Sequence, residues 1–339
     1  MCTTKNRFPA TYVALPSIIE EQPHRVGFYL ATEEYIARNF PEGSYLYSWV
    51  LPEPVAMIGR NQVLHQEVNL DFCKEQNIHL LRRKSGGGTI YGDSKNIFWS
   101  LITSDGSVED IFAQYTQAIV DALKNVGIQA QISGRNDILL PDGKKICGNA
   151  FYRIGNRCIV HGTMLYDAEL DKLLGALTPD KEKLKAAGVQ SIRSRVGFLK
   201  EHTHYTIPEL RTALTKYLTK KQIRITEEEI SEIEKIEYLY YEEKRLHGHI
   251  INEGPVYSAR IEGCGRIEIR FVLAGTYIKE VQLTGDFFEN TDARQVFQQA
   301  LNEVIFSKKD ILDAITKHHP EEAIRGLSFE SLTSLLELV

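Results

Sequence analysis

The sequence of 339 residues predicts an α+β fold, in which a large, mainly antiparallel mixed sheet is flanked by helices and followed by a small α+β domain. Two turn signals, Pro141-Asp142-Gly143 and Gly155-Asn156, divide residues 138–165 into strand-like runs joined as hairpins. Hairpins among helices are typical of antiparallel sheets rather than of doubly wound parallel sheets. A break rich in Gly and Pro then gives predicted domains at residues 1–247 and 256–339.

The other elements follow from hydrophobic periodicity and capping residues. Ser107 is a predicted helix N-cap, and apolar residues at helical spacing continue to Gly127, which ends the helix. Residues 206–247 are rich in Glu, Lys and Tyr and are predicted to be helical. Residues 257–283 predict a strand meander, with helical segments after it. Further strands are predicted at residues 55–59, 78–83, 97–103 and 128–132, of which 97–103 is apolar on both faces and therefore central.

Composition and charge exclude several classes of protein. Hydrophobic residues make up 43% and charged residues 25% of the chain, the mixture usual for globular domains rather than for disordered chains. A formal net charge of −5 excludes a basic surface over the whole body, so we expect no nucleic-acid partner. No apolar run approaches the roughly 20 residues of a membrane helix, and no secretory signal is recognised, so we expect no membrane partner. The five cysteines include no C-x-x-C pair, which predicts reduced thiols and a cytoplasmic protein.

A glycine-rich stretch carries the strongest chemical signal. Residues 82–93 read Arg-Arg-Lys-Ser-Gly-Gly-Gly-Thr-Ile-Tyr-Gly-Asp and begin at the end of a predicted strand. Three successive glycines let the backbone approach a ligand closely, and the basic residues before them supply donors for phosphate or carboxylate groups. The spacing matches neither the dinucleotide-binding fingerprint nor the P-loop. The stretch predicts an anion-binding loop, with a flexible surface turn as the alternative.

A second signal lies at the start of two neighbouring predicted strands. Asp137 follows Ser133-Gly134-Arg135-Asn136, and Lys145 opens the next strand, so the two side chains can meet. A carboxylate there can hold Mg²⁺ beside a nucleotide phosphate, and a lysine can neutralise charge that builds as a phosphate bond breaks. A polar hairpin with solvated lysines is the alternative.

The third signal is a histidine inside a strand. His161 is followed by Gly162 and Thr163, a sequence that favours close packing beneath a ligand. A hydrogen-bonded histidine of the core explains the same residues equally well, and one histidine does not indicate a metal site.

Together these segments resemble the lipoate–protein ligase family. Residues 82–91 are similar to its RRxSGGGxVY loop, residues 133–137 to its SGRND segment, residues 145–150 to its K-[IV]-x-G-[SN]-A segment and residues 161–165 to its HGTLL strand. Residues 30–35 are similar to its N-terminal helix and residues 183–199 to the stretch that closes its catalytic domain. The final predicted domain resembles the accessory domain of bacterial members. These blocks occur in the family's order.

The resemblance implies a two-step reaction. Lipoate would attack the α-phosphate of ATP to give lipoyl-AMP and pyrophosphate, and a lysine of an acceptor protein would then take the lipoyl group and release AMP. The implied acceptors are the lipoyl domains of 2-oxoacid dehydrogenase complexes and the H protein of glycine cleavage. ATP and Mg²⁺ are the implied cofactors.

The resemblance also implies roles for individual residues. Lys145 would be catalytic, in contact with both the lipoyl carboxyl group and the α-phosphate. Asp137 would bind Mg²⁺, while Gly87 and His161 would contact lipoate. The implied nucleotide-binding residues are Arg83, Gly88, Thr89, Ile90 and Tyr91. The implied supporting residues are Arg82, Ser85, Gly86, Asp93 and Asn136.

Three alternatives remain at this stage. An octanoyl or lipoyl transferase of the same superfamily acts through an acyl-cysteine, but residues 131–144 contain no cysteine and Cys147 occupies a small-residue position. A biotin ligase would need a Gly-Arg-Gly-Arg loop, which is absent. A non-catalytic lipoate-binding protein would have no need of Lys145 and Asp137. Lys84 and Lys95 depart from the family's pattern and predict extra positive charge near the phosphates.

Overall fold

The computed structural model describes residues 10–21, 24–104, 106–134, 136–177 and 194–337. Its strands are β1 (Ala10–Ala14), β2 (Tyr45–Val50), β3 (Val55–Ile58), β4 (His79–Arg82), β5 (Ile90–Gly92), β6 (Asn96–Thr103), β7 (Gln131–Ser133), β8 (Asp137–Leu139), β9 (Lys145–Ile154), β10 (Arg157–Leu165), β11 (Thr219–Arg224), β12 (Val256–Ile261), β13 (Gly265–Ala274) and β14 (Tyr277–Gly285). Its α-helices are α1 (Ser17–Glu21), α2 (Val26–Asn39), α3 (Leu64–Glu67), α4 (Leu70–Glu75), α5 (Val108–Asn125), α6 (Leu170–Ala176), α7 (Ile207–Leu218), α8 (Glu227–Tyr238), α9 (Glu243–His247), α10 (Ala293–Leu301), α11 (Lys308–His318) and α12 (Phe329–Leu335). Within these ranges, no helix combines the length and the apolar character needed to cross a bilayer.

The largest sheet has eight strands in the order β11-β1-β2-β6-β10-β9-β8-β7. β1 runs parallel to both of its neighbours, and the other neighbouring pairs are antiparallel. The two predicted hairpins are present as β8–β9 and β9–β10. The predicted α+β fold with a mixed, largely antiparallel sheet is therefore confirmed.

Helices cover both faces of this sheet because β6 is apolar on both sides. All 8 residues of β6 are buried, as predicted for a central strand. α5 packs on one face, where Ile111 and Ile119 share a core with Trp99. Its cap is the predicted one, since the Ser107 side chain accepts a hydrogen bond from the Asp110 backbone N–H at 3.1 Å. α2 packs on the opposite face, in the core that contains Phe98.

A second, three-stranded sheet in the order β4-β3-β5 carries the glycine-rich segment. β3 is parallel to β4 and antiparallel to β5, so the segment that joins β4 to β5 passes over the end of β3. The segment packs closely there: a Cβ on Gly59 would collide with the carbonyl oxygen of Gly87. The absence of a side chain at Gly59 thus lets the loop approach the sheet closely.

Residues 256–337 build a third sheet, β12-β13-β14, and enclose a core of their own. This meander confirms the strands predicted at residues 257–283. The segment after β14 also contacts the preceding part of the chain. Phe288 is buried in the core beneath α5, and the Phe287 carbonyl oxygen accepts a hydrogen bond from the Gly87 N–H at 3.2 Å.

Two expectations about secondary structure were wrong in part. The stretch predicted as helical at residues 206–247 is interrupted by β11, an edge strand that is largely exposed and pairs in parallel with β1. Its sequence, Thr-Lys-Lys-Gln-Ile-Arg, lacks apolar alternation, so only the available edge of β1 decides its conformation. The strand predicted at residues 128–132 is the shorter β7, because Ile128 packs into the core before the strand begins.

Candidate active site

A cavity of about 130 Å³ lies where the large sheet meets the glycine-rich loop. On the β8–β9 side of the sheet its lining is polar and includes Lys145, Asn136 and Asn149. His161 and Thr163 of β10 form the middle of the wall. Because strands lie about 4.8 Å apart, the β9 groups stand well separated from those of β2 and β6 across the sheet. The cavity therefore has two chemically different sides.

The side formed by α2, β2, β3 and β6 is apolar. It consists of Leu30, Trp49, Met57 and Phe98, with the Trp49 and Phe98 rings stacked at 5.4 Å between centroids. These residues were missed in the sequence, since each has the pattern of an ordinary core residue and no motif distinguishes it. A ligand that suits this cavity has an apolar body and an anionic head.

Lys145 and Asp137 form an ion pair at the polar side. The Lys145 Nζ lies 2.7 Å from Asp137 Oδ1, and each side chain is about one-third exposed. β8 and β9 are paired so that Asp137 stands opposite Gly148, and a Cβ on Gly148 would lie 2.8 Å from Lys145 Nζ. The absence of a side chain at Gly148 therefore makes the space that the lysine occupies. Lys144, in contrast, pairs with Asp142 of the turn at 3.1 Å.

Arg83 holds the glycine-rich loop from beneath. Its Nη2 donates to the Gly86 carbonyl oxygen at 2.8 Å and to that of Gly88 at 2.6 Å, and its Nη1 donates to the Met57 carbonyl oxygen at 2.9 Å. Burial lowers the pKa of Arg83 to about 10, which leaves the guanidinium charged at neutral pH. Because its donors are occupied by carbonyl oxygens and by the Ser85 hydroxyl, Arg83 shapes the loop, although its side chain also borders the cavity.

Arg82 performs a similar task on the other side of the strand. Its Nη1 donates to the carbonyl oxygens of Gly59, Arg60 and Gln62, and its Nη2 donates to that of Leu246 at 2.8 Å. Burial lowers its pKa to about 10. Arg82 thus joins the turn after β3 to α9, away from the cavity.

Side-chain amides hold both the glycine-rich loop and the backbone near Lys145 through hydrogen bonds. Gln62 Oε1 accepts from the Gly59 N–H at 2.8 Å and from Thr89 Oγ1 at 2.9 Å. Asn136 and Asn149 donate through their side-chain amides to each other's backbone carbonyl oxygens, at 3.0 and 2.9 Å. Both arrangements fix backbone that borders the cavity.

His161 connects the loop to α2 through buried hydrogen bonds. Its Nε2 lies 2.8 Å from Ser85 Oγ, and its Nδ1 lies 2.9 Å from Glu33 Oε2. Glu33 is fully buried and also accepts a hydrogen bond from Ser100. Glu33 was not predicted as a site residue, although two successive glutamates in a mainly apolar stretch are a signal that residues 30–35 show.

The two lysines that depart from the family's pattern are both paired. Lys84 forms an ion pair with the buried Glu34, and Lys95 lies 3.4 Å from Glu169. Burial by itself raises the pKa of Glu34, but Lys84 and Arg38 together lower it below its usual value. The expected excess of positive charge is therefore balanced by carboxylates.

Cys147 is unsuited to nucleophilic attack. It is only 1% exposed, and its thiol donates to Asn149 Oδ1 at 3.3 Å. Burial raises its pKa to about 12, which keeps the thiol protonated at neutral pH, whereas the thiolate is the nucleophile. This observation disfavours the acyl-cysteine alternative.

The residues singled out in the sequence divide into two groups by position. Those that line the cavity are Arg83, Gly88, Thr89, Ile90, Asn136, Lys145 and His161. Those that stand behind or beside the wall are Arg82, Ser85, Gly86, Gly87, Tyr91, Asp93 and Asp137. Arg135 and residues 178–193 lie outside the described residues, so the similarity at residues 183–199 is represented only from Ser194 onward. There, the Arg195 carbonyl oxygen accepts from the Lys145 N–H at 2.7 Å.

Asp93 directly follows β5, the strand after the loop. Its Oδ1 accepts from the Lys95 N–H at 2.8 Å, and burial raises its pKa above the usual value. Burial also raises the pKa of Tyr91. Within the part of the chain that the structure describes, no three His, Cys, Asp or Glu side chains come together as a metal-binding cluster.

Comparison with known proteins identifies both parts of the chain. Residues 26–219 match the family described as lipoyl protein ligase A/B catalytic domain, and residues 256–336 match the family described as bacterial lipoate protein ligase C-terminus. Lipoate–protein ligase 1 of Staphylococcus aureus is 30% identical over 299 residues, which cover 85% of this chain and 90% of the relative.

Two solved structures share the fold of this chain. A bipartite lipoate protein ligase of Thermoplasma acidophilum, studied with its E2 lipoyl domain, is 28% identical with a TM-score of 0.63 over 73% of this chain and 99% of its own. A lipoate-protein ligase A bound with ATP is 26% identical with a TM-score of 0.60 over 71% of this chain and 100% of its own. The matches to both family descriptions, which together span most of the sequence, show that this chain belongs to the lipoate–protein ligase family.

Proposed function

We propose that this chain is an ATP-dependent lipoate–protein ligase that forms lipoyl-AMP and transfers the lipoyl group to a lysine of an acceptor protein. The observation that carries the proposal is the position of Lys145, at the polar side of a cavity whose other side is apolar. Lipoate has the matching shape, with an apolar body and a carboxylate head. The lipoate-protein ligase A relative was solved bound with ATP, which supports ATP as the second substrate.

In the first step, a carboxylate oxygen of lipoate attacks the α-phosphorus of ATP. A new P–O bond forms, and the bond to the bridging oxygen breaks, so that pyrophosphate leaves with the electron pair. The Lys145 ammonium stands where it can stabilise the negative charge that develops on the α-phosphate oxygens. Arg83 contributes by holding the carbonyl oxygens of the loop, so that the neighbouring Gly88, Thr89 and Ile90 backbone keeps one shape.

In the second step, the ε-amine of the acceptor lysine attacks the carbonyl carbon of the mixed anhydride. An amide bond forms, the C–O bond to the phosphate breaks, AMP leaves, and the amine nitrogen loses a proton. No side chain of this protein becomes acylated, which agrees with the buried and protonated Cys147. The protein's task in both steps is positioning and charge stabilisation.

Asp137 is the residue that we propose to hold Mg²⁺. Magnesium is commonly bound by one or two carboxylates together with substrate phosphates and waters, so a single carboxylate next to the phosphate-binding lysine fits the ion. When bound, Mg²⁺ would neutralise phosphate charge. Asp137 also orients the Lys145 ammonium through their ion pair.

We propose that the acceptors are lipoyl domains of 2-oxoacid dehydrogenase complexes and the H protein of glycine cleavage. Support comes from the archaeal relative, which was studied together with an E2 lipoyl domain. We also propose domains at residues 1–247 and 256–339, with the second domain covering the loop. The hydrogen bond between Gly87 and Phe287 and the ion pairs of Arg60 with Glu289 and Asp292 support this arrangement. The cytoplasm, which supplies ATP and reduced thiols, is the proposed location.

The proposal is tested by following label from pyrophosphate into ATP in the presence of Mg²⁺. We expect exchange only when lipoate is present, and we expect intact-mass analysis to show lipoylation of an added acceptor domain. A folded protein that supports no lipoate-dependent exchange would overturn the proposal. A hydroxylamine-sensitive acyl group on Cys147 would favour the transferase instead.

A further inference from the structure

We infer that Glu33 is a positioning residue, which fixes the glycine-rich loop through His161 and Ser85. The inference rests on the proposed function for its catalytic consequence, whereas its structural part stands on geometry alone. Glu33 belongs to α2, and the loop belongs to the segment between β4 and β5. A chain of side-chain hydrogen bonds connects these two distant parts of the sequence.

Glu33 and Arg83 together set the direction of the hydrogen bonds between them, because a carboxylate only accepts and a guanidinium only donates. A carboxylate accepts, so the His161 Nδ1 that lies 2.9 Å from Glu33 Oε2 carries the proton. In the tautomer that carries its proton on Nδ1, the ring accepts at Nε2 from the Ser85 hydroxyl, at 2.8 Å. This leaves the Ser85 oxygen to accept from Arg83 Nε, at 3.0 Å. Glu33 therefore selects the tautomer that joins the histidine to the loop.

Arg83 connects this series of hydrogen bonds to the backbone of the loop. Its Nη2 donates to the carbonyl oxygens of Gly86 and Gly88, so the carboxylate, the histidine, the serine and the arginine act on the same few peptide groups. Glu33 is fully buried, and a carboxylate in such a place is costly unless its hydrogen bonds are made. Ser100 and Tyr152 contribute the others, Tyr152 at 3.5 Å.

A hydrolytic Ser–His–Glu triad is the obvious competing interpretation, and the positions of the groups argue against it. Ser85 has no exposed surface and does not border the cavity, so a substrate carbonyl cannot reach its hydroxyl. Its oxygen also accepts from a guanidinium, which makes it a weaker nucleophile. Ser85, His161 and Glu33 are hydrogen-bonded in the order of a catalytic triad, but they position the loop.

The next residue of the helix supports the same conclusion. Glu34 forms an ion pair with Lys84, so two successive residues of α2 hold two successive residues at the start of the loop. Arg38 and Tyr240 fill the remaining sites of Glu34, at 2.6 and 3.4 Å. α2 is therefore the element against which the loop is set.

The experiment combines Glu33→Leu, Ser85→Ala and the double variant of the full-length protein. Glu33→Leu removes the carboxylate that accepts from His161, and Ser85→Ala removes the hydroxyl that connects His161 to Arg83. We expect peptides covering residues 84–90 to exchange amide hydrogens about fivefold faster in each single variant, the change expected for the loss of one hydrogen bond. The KM for ATP should rise by a similar factor, with kcat changed less. The double variant should be no worse than either single variant, because both remove one connection.

Two further variants serve as controls. Glu33→Gln keeps a carbonyl oxygen that can accept from His161 Nδ1, so we expect amide protection of the loop near the wild-type value. If only the negative charge of Glu33 mattered, Glu33→Gln would lose protection as Glu33→Leu does. Glu237→Leu removes another buried carboxylate, one that holds Arg25 rather than the loop, and should leave exchange at residues 84–90 unchanged.

The possible outcomes separate the two proposals. Wild-type protein without lipoate-dependent exchange of pyrophosphate would overturn the proposed function, while the amide-exchange comparison would still test the connection. If the wild type is active, either of two results would overturn the inference. One is additive effects in the double variant, and the other is unchanged amide protection of the loop in Glu33→Leu. If Glu33→Leu does not fold, Ser85→Ala alone decides: unchanged loop protection and unchanged KM for ATP would also overturn it.

Discussion

The ammonium of Lys145 lies 2.7 Å from the carboxylate of Asp137, across the antiparallel pair of β8 and β9. The β8–β9 hairpin brings the two charges together, and Gly148 leaves the space in which they meet. This relationship turns two separate sequence motifs into one site, and it leads to the first two predictions.

We expect Lys145→Ala to lower the rate of lipoate-dependent pyrophosphate exchange by about a hundredfold or more, because the variant lacks the charge proposed to stabilise the α-phosphate. Lys144→Ala is the matched control, since Lys144 pairs with Asp142 on the turn and does not line the cavity. Near-normal exchange by Lys145→Ala would show that the site has been assigned to the wrong lysine.

Gly148→Ala should displace the Lys145 ammonium without unfolding the protein. The new methyl group would lie 2.8 Å from Nζ, and a flexible lysine can move away more easily than a strand can. We expect a rate loss of about tenfold to a hundredfold, as for other small misplacements of a catalytic group, with little change in thermal unfolding. A variant that is as active as the wild type would mean that the ion pair can shift without consequence.

Gly86→Ala and Gly88→Ala should differ in stability. A Cβ at Gly86 would collide with the Phe287 carbonyl oxygen, which is backbone and cannot turn aside, whereas a Cβ at Gly88 meets nothing within 4 Å. We expect Gly86→Ala to lose about 1–3 kcal/mol of unfolding free energy, the usual effect of overpacking, and Gly88→Ala to lose much less. Denaturant unfolding of both variants measures the difference, and equal losses would contradict the close contact.

Cys147→Ser should retain ligase activity, and the native thiol should resist alkylation by iodoacetamide at pH 8. Burial raises the pKa of this thiol from 9.0 to about 12, so the protonated form is favoured by folding. Its contribution to stability is complete below pH 9.0 and declines as the pH rises towards 12. Mass spectrometry of native and unfolded protein after alkylation checks this, with rapid native labelling of Cys147 as the contrary result.

Much of the site could be predicted because its chemistry depends on short sequence motifs. The loop at residues 82–93 and the pair Asp137 and Lys145 stand out by residue type and spacing alone. The apolar wall could not be found in this way, because Trp49 and Phe98 obey the same burial pattern as any core residue. Nor could the strand β11, which depends on the free edge of β1 rather than on its own side chains.

The sequence by itself determined the hairpins, the central strand and the helix that Ser107 caps, because periodicity and turn residues act over short distances along the chain. It also determined which residue types are present to bind an anion. Only the tertiary structure decided that Arg83 supports the loop from beneath, that Lys84 is neutralised by Glu34 and that Glu33 reaches Ser85 through His161. These roles depend on hydrogen bonds and ion pairs between buried groups. The partners lie far apart in the sequence, so no local sequence pattern predicts them.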